Sequence, residues 1–420
     1  MDVKSGYKET EIGVIPTDWD LFELHDACER IAVGLATSVT KHYRPSGVPI
    51  VRNLNIKDGF FDGRDMLYVS TEFAKANTSK SARAFDVLTV RTGANLGDTC
   101  VLPAAFDNCQ TFTTLITTPK RSLLTPRFLC LHMSSFSGKK EMNRLQVGSG
   151  KGNLNTGELK RYRIGAPPLR EQESIAEALS DANALVESLE LLIAKKRELK
   201  QSAMQELLTG KTRLPGFSAV WNVKRLGDLG STFGGLSGKR KSDFGNGHSR
   251  YITFMNIMTN VVIDRSTFEQ VNISSTESQN RVAKGDLFFN GSSETPEEVG
   301  MCAVLTEEVQ DVYLNSFCFG FRFSEEANAD GLYLAYYFRS GKGRKLLRSL
   351  AQGAIRYNLS KSALLKVAFP LPLLPEQTAI AAVLSDMDAE IAALEAKAAK
   401  ARHVKQAMMQ ELLTGKVRLV

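Results

Sequence analysis

The chain has 420 residues, of which 43% are hydrophobic and 24% charged, a composition typical of a globular protein with several domains. It lacks an apolar run of 18 residues and its first residues are charged, so we expect neither a membrane span nor a secretion signal. Six cysteines without Cys-x-x-Cys spacing argue against a zinc ribbon or a disulfide framework and favour the cytoplasm. The formal charge of +7 alone is weak evidence for a polyanionic partner.

The first predicted elements are short strands followed by a glycine-rich turn. β-branched and aromatic residues predict strands at 85–90 and 113–117, and the turn at 148–152 lies among lysines and arginines. The same order recurs later, with a strand predicted at 317–323 and a turn at 353–357. Both globular regions are therefore predicted to be mixed α/β.

A long helix is predicted after each globular region. Apolar residues recur there at alternating steps of four and three, the spacing of a coiled coil. They are Ile175, Leu179, Ala182, Val186, Leu189 and Ile193 in the first helix, and Ile380, Leu384, Met387, Ile391, Leu394 and Ala398 in the second. A helix over 171–209 would be about 58 Å long. We expect the two helices to pair antiparallel; packing of each on its own globular region is the alternative.

The chain is a tandem duplication. Residues 171–214 align without a gap to residues 376–419, with 25 identities in 44, and the two tryptophans, Trp19 and Trp221, also fall into register. The regions between, roughly 30–145 and 232–350, share little beyond spacing. The similar ends of the repeats predict an approximate two-fold arrangement, and the dissimilar regions between them predict that it presents two different surfaces.

Positive charge is concentrated in the globular regions. Residues 1–170 carry a net charge of +6 and residues 215–375 a net +3, whereas the helical segments 171–214 and 376–419 carry −2 and 0. Residues 339–366 contain eight Lys or Arg and no Asp or Glu. In both copies the basic cluster surrounds the glycine-containing turn, which suits contact with phosphate groups. A solvated helix face is the alternative interpretation.

Catalytic motifs are absent from the sequence. Gly210-Lys211-Thr212 resembles the end of a phosphate-binding loop, but Gln205 stands where the first glycine is required. The chain lacks the Asn/Asp-Pro-Pro-aromatic motif of an amino-methyltransferase, and its five histidines are scattered. We therefore interpret the chain as a binding protein.

Two unlike globular regions, each followed by a near-identical helix, resemble the specificity (S) subunit of type I restriction–modification systems. The residues that carry the resemblance are Ile-Gly-Val-Ile-Pro-Thr-Asp-Trp at 12–19, Ala-Pro-Pro-Leu-Arg-Glu-Gln at 166–172, Leu-Pro-Leu-Leu-Pro-Glu-Gln at 371–377 and the two Leu-Leu-Thr-Gly-Lys tails. The resemblance covers essentially the whole chain. It implies a non-catalytic subunit in which each globular region is a target-recognition domain for one half of a bipartite DNA site.

The resemblance also implies partners and a division of the chain. It predicts double-stranded DNA, two methyltransferase (M) subunits docked on the helices, and two restriction (R) subunits in the full complex. S-adenosylmethionine would bind the M subunit, which methylates adenine, and this chain would bind no cofactor and no metal. The expected segments are a recognition domain at 1–166, a helix at 167–213, a second recognition domain at 214–371 and a second helix at 372–420.

The spacing and charge also suggest how DNA would be read. A helical spacer of about 58 Å is longer than one DNA turn of about 34 Å, so it could separate the two globular regions by more than one turn. Because the two globular regions differ, the target site is predicted to be asymmetric. The predicted DNA contacts are basic and amide side chains near the turns and in the variable regions, together with one tyrosine of the second turn. They are Lys41, Arg44, Arg52, Asn53, Arg91, Asn95, Lys139, Lys140, Arg144, Lys151, Asn153, Lys239, Arg240, Lys241, Arg250, Asn256, Asn290, Arg344, Lys345, Arg348, Arg356, Tyr357 and Asn358.

Two other functions fit parts of the sequence. A coiled-coil scaffold could space two protein-binding heads without DNA, although the basic clusters disfavour it. An enzyme with an unrecognised site in one head is the second alternative, which the missing motifs disfavour.

Overall fold

The computed structural model describes residues 5–145 and 152–419. Within them the chain forms two compact units. The first contains the residues up to Leu189 and those from Lys397 onward, and the second contains Glu190–Ala396. Each unit therefore holds one globular region and a part of both long helices. The division into four segments with the boundaries given above remains a prediction.

The first unit combines short strands with short helices. Its strands are β1 Tyr7–Thr10, β2 Gly13–Pro16, β3 Asp20–Glu23, β4 Cys28–Val33, β5 Tyr43–Arg44, β6 Val48–Val51, β7 Ile56–Lys57, β8 Phe60–Phe61, β9 Leu67–Val69, β10 Ser81–Ala82, β11 Val87–Val90, β12 Thr99–Val101, β13 Cys109–Thr111, β14 Thr114–Pro119 and β15 Arg163–Ala166. Its short helices are α1 Leu24–Ala27, α2 Thr71–Ala76, α3 Pro126–Ser134, α4 Phe136–Leu145 and α5 Thr156–Lys160.

Two sheets position the loops of the first unit. One is four-stranded and antiparallel in the order β12-β11-β14-β4, and the other has the order β10-β13-β6-β9-β5 with β13 parallel to β6. The predicted strand at 85–90 begins two residues late, because Phe85 has a φ of 71° and ends the preceding turn in a left-handed conformation.

The second unit repeats this architecture. Its strands are β16 Asn222–Arg225, β17 Gly230–Gly234, β18 Phe244–Ile252, β19 Glu269–Val271, β20 Leu287–Asn290, β21 Ser292–Ser293, β22 Cys302–Val304, β23 Val312–Leu314, β24 Cys318–Phe323, β25 Ala351–Gln352, β26 Tyr357–Leu359 and β27 Ala368–Leu371. Its short helices are α7 Phe254–Thr259, α8 Gly331–Arg339, α9 Gly341–Arg348 and α10 Lys361–Leu365.

The sheets of the second unit correspond to those of the first. The order β22-β20-β24-β17 matches β12-β11-β14-β4, and β23 runs parallel to β18 as β13 does to β6. The close approach of two loops is kept as well: a Cβ on Gly34 would lie 2.5 Å from the Thr111 carbonyl oxygen, and one on Gly235 would lie 2.1 Å from that of Asn315. Mixed α/β units on one frame, as predicted, are confirmed.

The long helices are α6 Leu169–Leu207 and α11 Leu374–Leu412. Nine of their twelve predicted heptad positions are buried, and the other three, Ala182, Met387 and Leu394, are partly exposed. In the first unit the start of α6 joins the core that includes the end of α11, with Ile175 and Leu179 clustered with Leu412 and Leu413. Further along, Lys405 donates to the Asn183 side chain at 2.5 Å. This part of the pair is antiparallel.

The second unit contains the complementary segments. The end of α6 packs with the start of α11, where Leu208 shares a core with Ile380 and Leu384. Ion pairs join Lys196 to Glu390 at 2.7 Å and Arg197 to Glu395 at 2.6 Å. The predicted pairing of the helices is therefore present, with antiparallel contacts inside each unit. Among the described helices, none is long and apolar enough to cross a bilayer.

Candidate nucleic-acid interface

A buried glutamine fixes the start of each long helix against its globular region. The Gln172 side-chain oxygen accepts from the Thr125 backbone N–H at 2.8 Å, and its amide donates to the carbonyls of Leu123 and Pro167. Gln377 makes the corresponding bonds, accepting from the Asp330 N–H at 2.8 Å and donating to two carbonyls. Every polar group of these amides is used internally, so they belong to the frame.

A buried ion pair also lies at the start of each long helix. Arg418 donates to both Glu171 oxygens at 2.8 and 2.7 Å, and Arg213 donates to both Glu376 oxygens at 2.5 and 2.7 Å. Because both glutamates are buried, each carboxylate depends on its arginine for compensation. Sequence reasoning did not single out these arginines. Their signal was the identity of Arg-Leu at the end of both repeats.

The turn at the end of β11 gathers polar side chains in the first unit. Arg91 donates to the Asn155 side chain at 2.7 Å, and the Asn153 amide donates to the same oxygen at 3.2 Å. The backbone joins them too, since Thr92 forms a bridge with Asn153. Arg91 Nε is buried without a hydrogen-bond partner among the described residues. The exposed Asn95 lies in the next loop, so three predicted residues, Arg91, Asn95 and Asn153, share this edge.

A second polar turn of the first unit contains Arg52 and Asn53. Its shape is set by Asn55, whose oxygen accepts from the Arg52 backbone N–H at 3.1 Å and whose amide donates to the carbonyls of Asp62 and Arg64. Arg52 also donates to the Asp65 carbonyl. Arg52 Nε and Asn53 Oδ1 have no hydrogen-bond partner in the described part of the chain. Those two atoms are buried, but both residues are partly exposed, so this turn offers a cation and an amide to a ligand.

Lysines and arginines also occupy one short 3₁₀ turn in each unit. Lys41 lies in the turn Thr40–His42 and Arg44 follows it in β5, and both side chains are exposed. The second unit has the turn Lys241–Asp243 in the same position before β18, with Arg240 and Lys241 exposed. Arg250, further along β18, is exposed as well. Lys239, by contrast, donates to the Asn272 carbonyl and pairs with Glu277, so its charge is used internally.

The basic residues of α4 line a cleft or form ion pairs with neighbouring carboxylates. Lys140 and Arg144 line a cleft of about 370 Å³ together with Trp19 and Leu413, near the end of α11. Arg144 pairs with Glu141 at 2.6 Å, and Lys139 pairs with Asp58. The predicted turn at 148–152 lies outside the described residues except for Gly152, so the predicted grouping of basic residues around it stays a prediction. Lys151 lies outside the described residues.

In the second unit the basic cluster surrounds a β-hairpin. β25 and β26 pair through Gln352 and Asn358, and the connecting residues 353–356 are exposed. Arg356 lies with its guanidinium carbon 5.8 Å from the Phe317 ring centre. The hairpin joins β21, because Tyr357 pairs with Ser293. Asn358 is exposed, so the hairpin presents a cation and an amide to solvent.

The neighbouring helix α9 supplies further charge. Lys345 is exposed, and Arg348 pairs with Glu297 at 2.8 Å on the surface. Arg344 instead donates to the carbonyls of Glu297, Val299 and Gly300, and burial lowers the pKa of its guanidinium. Its donors hold the loop 297–300 and are not offered to solvent.

Two predicted asparagines also have their hydrogen bonds inside the fold. Asn256 donates to the Asp264 carbonyl and to Thr267 and accepts from the Asp264 N–H. Asn290 donates to the carbonyls of Ser292 and Glu298 and accepts from the Met301 N–H. Since both are buried and satisfied, they shape the loops that carry other residues.

The cysteines are not activated thiols. All six cysteines are free and buried, and burial raises the pKa of Cys28, Cys109, Cys130 and Cys318 to about 12, so these thiols stay protonated at neutral pH. Within the described ranges, no group of three or more His, Cys, Asp or Glu could hold a metal ion. The exposed basic and amide groups suit a polyanion that carries hydrogen-bonding edges, such as DNA.

Comparisons with known proteins agree with this chemistry. The family model of the type I restriction modification DNA specificity domain matches residues 16–201 and again 219–401. A candidate specificity subunit of the type I restriction enzyme MjaX from Methanocaldococcus jannaschii is 24% identical, over 99% of this chain and 97% of that protein.

Two solved structures share the fold. The HsdS subunit from Thermoanaerobacter tengcongensis has a TM-score of 0.52 at 20% identity, covering 96% of this chain and 98% of its own. The type I restriction–modification S subunit from M. genitalium has a TM-score of 0.55 at 12% identity, covering 98% of both chains.

Proposed function

The chain belongs to the type I restriction–modification DNA specificity family, and we propose from this premise that its two units each read one half of an asymmetric, bipartite DNA site. Members of this family are sequence-recognition subunits, so the chain is the DNA specificity subunit and not the methyltransferase. The division of reading between the units, the residues that read and the assembly of the complex are the parts that we propose.

One observation carries the proposal: the two units repeat one frame and differ in the loops that the frame presents. The buried glutamines, the Arg–Glu pairs and the order of the four-stranded sheets are the same in both units. The loops after β11 and β20 are held by the same strand pairing, Thr92 with Asn153 and Ser292 with Asn358, yet carry different side chains. A constant frame with different loops is what two readers of different sequences require.

The proposed contacts are predicted residues that the structure leaves at least partly exposed, apart from the basic residues of α4 and the paired Arg348. Their chemistry suits the tasks: Arg and Lys contact phosphate or guanine, and Asn contacts adenine. In the first unit they are Lys41, Arg44, Arg52, Asn53, Arg91, Asn95 and Asn153, and in the second unit Arg240, Lys241, Arg250, Lys345, Arg356 and Asn358. Lys239, Asn256, Asn290 and Arg344 are left out because their polar groups are used inside the fold.

The assembly that we propose places M and R subunits around this chain. The long helices, nearly uncharged overall, would set the gap between the half-sites and hold two M subunits, and two R subunits would complete the restriction enzyme. S-adenosylmethionine would bind the M subunits, which take an adenine out of the duplex to methylate it. The complex would act in the cytoplasm, where the DNA is.

Mapping of adenine methylation by single-molecule sequencing tests the proposal. Cells that express the M subunit with this chain should carry methylated adenines in a split motif, two short unlike sequences separated by a fixed unspecified gap. Cells with the M subunit alone should lack it.

A continuous motif, or the same motif without this chain, would contradict the proposal. A motif with two identical halves in inverted order would contradict the reading of different sequences by the two units.

A further inference from the structure

A cleft of about 300 Å³ opens in the second unit beside the hairpin of β25 and β26. Its lining combines apolar with polar and charged residues. The apolar residues are Phe254, Met258 and Phe317, and the polar and charged residues are Ser292, Ser293, Glu294, Glu298 and Arg356. None of the contacts proposed above except Arg356 belongs to this cleft.

Large apolar side chains are exposed among the residues that line the cleft and at their neighbours in sequence. Ile355, at the tip of the hairpin, is 90% exposed, the highest value among the large apolar side chains of the described chain. Phe317 is 57% exposed, and Met255, next to Phe254, is 61% exposed. Exposed apolar side chains grouped around one cleft mark a surface that a partner covers.

The surroundings of these side chains are strongly basic. The hairpin lies in the stretch 339–366, which has no Asp or Glu, and Arg356 lies against the Phe317 ring. Lys361 is 5.7 Å from the ring centre of Phe319, the second residue after Phe317. A partner that is both anionic and able to bury apolar side chains is nucleic acid whose bases are partly unstacked.

The two carboxylates in the cleft decide which part of the nucleic acid could enter. Glu294 and Glu298 are exposed, and Ser293 donates to Glu298 at 3.0 Å. These carboxylates would repel a phosphate, but they accept hydrogen bonds from the amino groups of adenine, cytosine and guanine. The aromatic rings that line the cleft, those of Phe254 and Phe317, offer a stacking surface for a base.

Buried arginines hold the walls of the cleft in place. Arg339 donates to the carbonyls of Ile257, Met258 and Asn260 at the end of α7, and Arg344 holds the loop 297–300. The hairpin is equally constrained, because a Cβ on Gly353 would lie 2.1 Å from the Arg356 carbonyl oxygen. The end of α7 and the loop 297–300 are therefore held by hydrogen bonds within the fold, and the backbone of the hairpin turns tightly at Gly353.

We propose that this cleft receives one amino-bearing nucleobase turned out of the DNA duplex, while Ile355 fills the space that the base leaves in the stack. The inference rests on the proposed function, since it needs DNA on the second unit. It is separate from the removal of the target adenine, which the M subunit would perform. Apolar side chains that insert between base pairs are a known means of unstacking DNA.

Position-by-position substitution with 2-aminopurine tests this inference on the complex of the full chain with its M subunit. The fluorescence of 2-aminopurine rises when the base leaves the stack. Once the motif is known, we expect a several-fold rise at one position of one half-site other than the methylated adenine. Ile355→Gly and Phe317→Ala should each reduce the rise to the level of free duplex, whereas Val223→Ala, at an exposed apolar residue outside the cleft, should leave it unchanged.

A second measurement uses mismatches. A mismatch at the responsive position lowers the cost of extruding the base, so it should tighten binding several-fold to the native chain and not to Ile355→Gly.

The outcomes separate this inference from the proposed function. Specific binding of the split motif with no rise outside the methylated adenine would overturn the cleft inference and leave the proposed function standing. No specific binding by the native complex would overturn both. A rise that survives in Ile355→Gly and Phe317→Ala, with both variants folded by circular dichroism, would also overturn the inference.

Discussion

The helix that packs against the four-stranded sheet shows most clearly how the two units differ. α3 and α8 begin alike, with Thr125 and Asp330 capping them through a side-chain oxygen, and they end alike, with Ser135 and Ser340 bonded to the last turn. Between these ends most of the buried side chains differ, and Leu129 with Leu334 is the pair that is shared. The polar contacts at the two ends of this helix are thus the same in both units, whereas the side chains buried between them vary.

The difference in buried side chains has chemical consequences. The first unit buries His132, whose Nδ1 lies 2.9 Å from the Tyr162 hydroxyl. The equivalent position in the second unit is Tyr337, in van der Waals contact with Phe338 and Phe369, whose ring centres lie 5.6 and 5.2 Å away. A frame can therefore tolerate a titratable group in one copy and an aromatic cluster in the other, provided that volume is filled.

The largest loss of stability that we expect is equal in both units, because the substitution removes an ion pair that both units contain. Arg213→Met and Arg418→Met each leave a buried glutamate unpaired, and each should lower the free energy of unfolding by about 3 kcal/mol. Lys211→Met is the matched control, since its pair with Glu206 is exposed and contributes little. Urea unfolding gives the three values. Similar values for Arg213→Met and Lys211→Met would show that the buried pair does not support the frame.

The second effect should appear in the first unit alone. Burial lowers the pKa of His132 to about 4, whereas an unfolded histidine titrates near 6.5. The unfolded chain therefore binds the proton first, so stability is complete above pH 6.5 and falls by about 3 kcal/mol as the pH falls to about 4. Hydrogen exchange at pH 7 and pH 5 should show α3 losing protection before α8.

His132→Gln removes the titration and supplies the control for that experiment. In this variant the difference between α3 and α8 should shrink, because the buried imidazole that gains a proton on unfolding is gone. Equal loss of protection in α3 and α8 of the native chain would contradict the account.

The third effect should appear in the second unit alone. The Tyr336 hydroxyl donates to Asp388 at 2.7 Å, and Lys200 pairs with the same carboxylate; the first unit has Leu131 in the position of Tyr336. Tyr336→Phe should cost about 2 kcal/mol, as expected for a hydrogen bond to a charged group. Tyr337→Phe is the matched control on the same helix, because the Tyr337 hydroxyl is buried without a hydrogen-bond partner among the described residues. Thermal unfolding measures the stability of both variants, and an equal loss of stability in the two would contradict this expectation.

The smallest effect concerns a turn that both units share. Gly285 has a φ of 87° and the equivalent Phe85 a φ of 71°, a left-handed conformation that costs a side-chain-bearing residue about 1 kcal/mol. Gly285→Ala should therefore destabilise the second unit by about 1 kcal/mol, measured by urea unfolding. Gly157→Ala, at a helical glycine with open space around it, should cost nothing. If Gly285→Ala left the free energy of unfolding unchanged, the backbone of the turn would have to relax to another conformation.

The repeat made much of the fold predictable. The gapless match of 171–214 with 376–419 and its heptads predicted both helices and their pairing, because helix packing follows a local apolar period. The frame contacts were harder to predict. Glu171 with Arg418 and Glu376 with Arg213 are distant in sequence, and only their recurrence could have shown that they matter.

The candidate site was predictable only by residue type. Arg356 and Arg344 stand in the same basic stretch, yet one lies on an exposed hairpin and the other holds backbone carbonyls. Asn256 and Asn290 carry the amides that suit adenine, but they serve the loops around them. Whether a polar side chain faces solvent or the fold depends on loop geometry, which a sequence pattern does not specify.

The most direct test of the central claim, two independent readers on one frame, is a methylation map of variants altered in one unit at a time. The account predicts that Arg91→Ala with Asn153→Ala relaxes one half of the split motif and preserves the other half and the gap, and that Arg356→Ala with Asn358→Ala relaxes only the opposite half. Relaxation of the same half by both pairs, or of both halves by either pair, would contradict it.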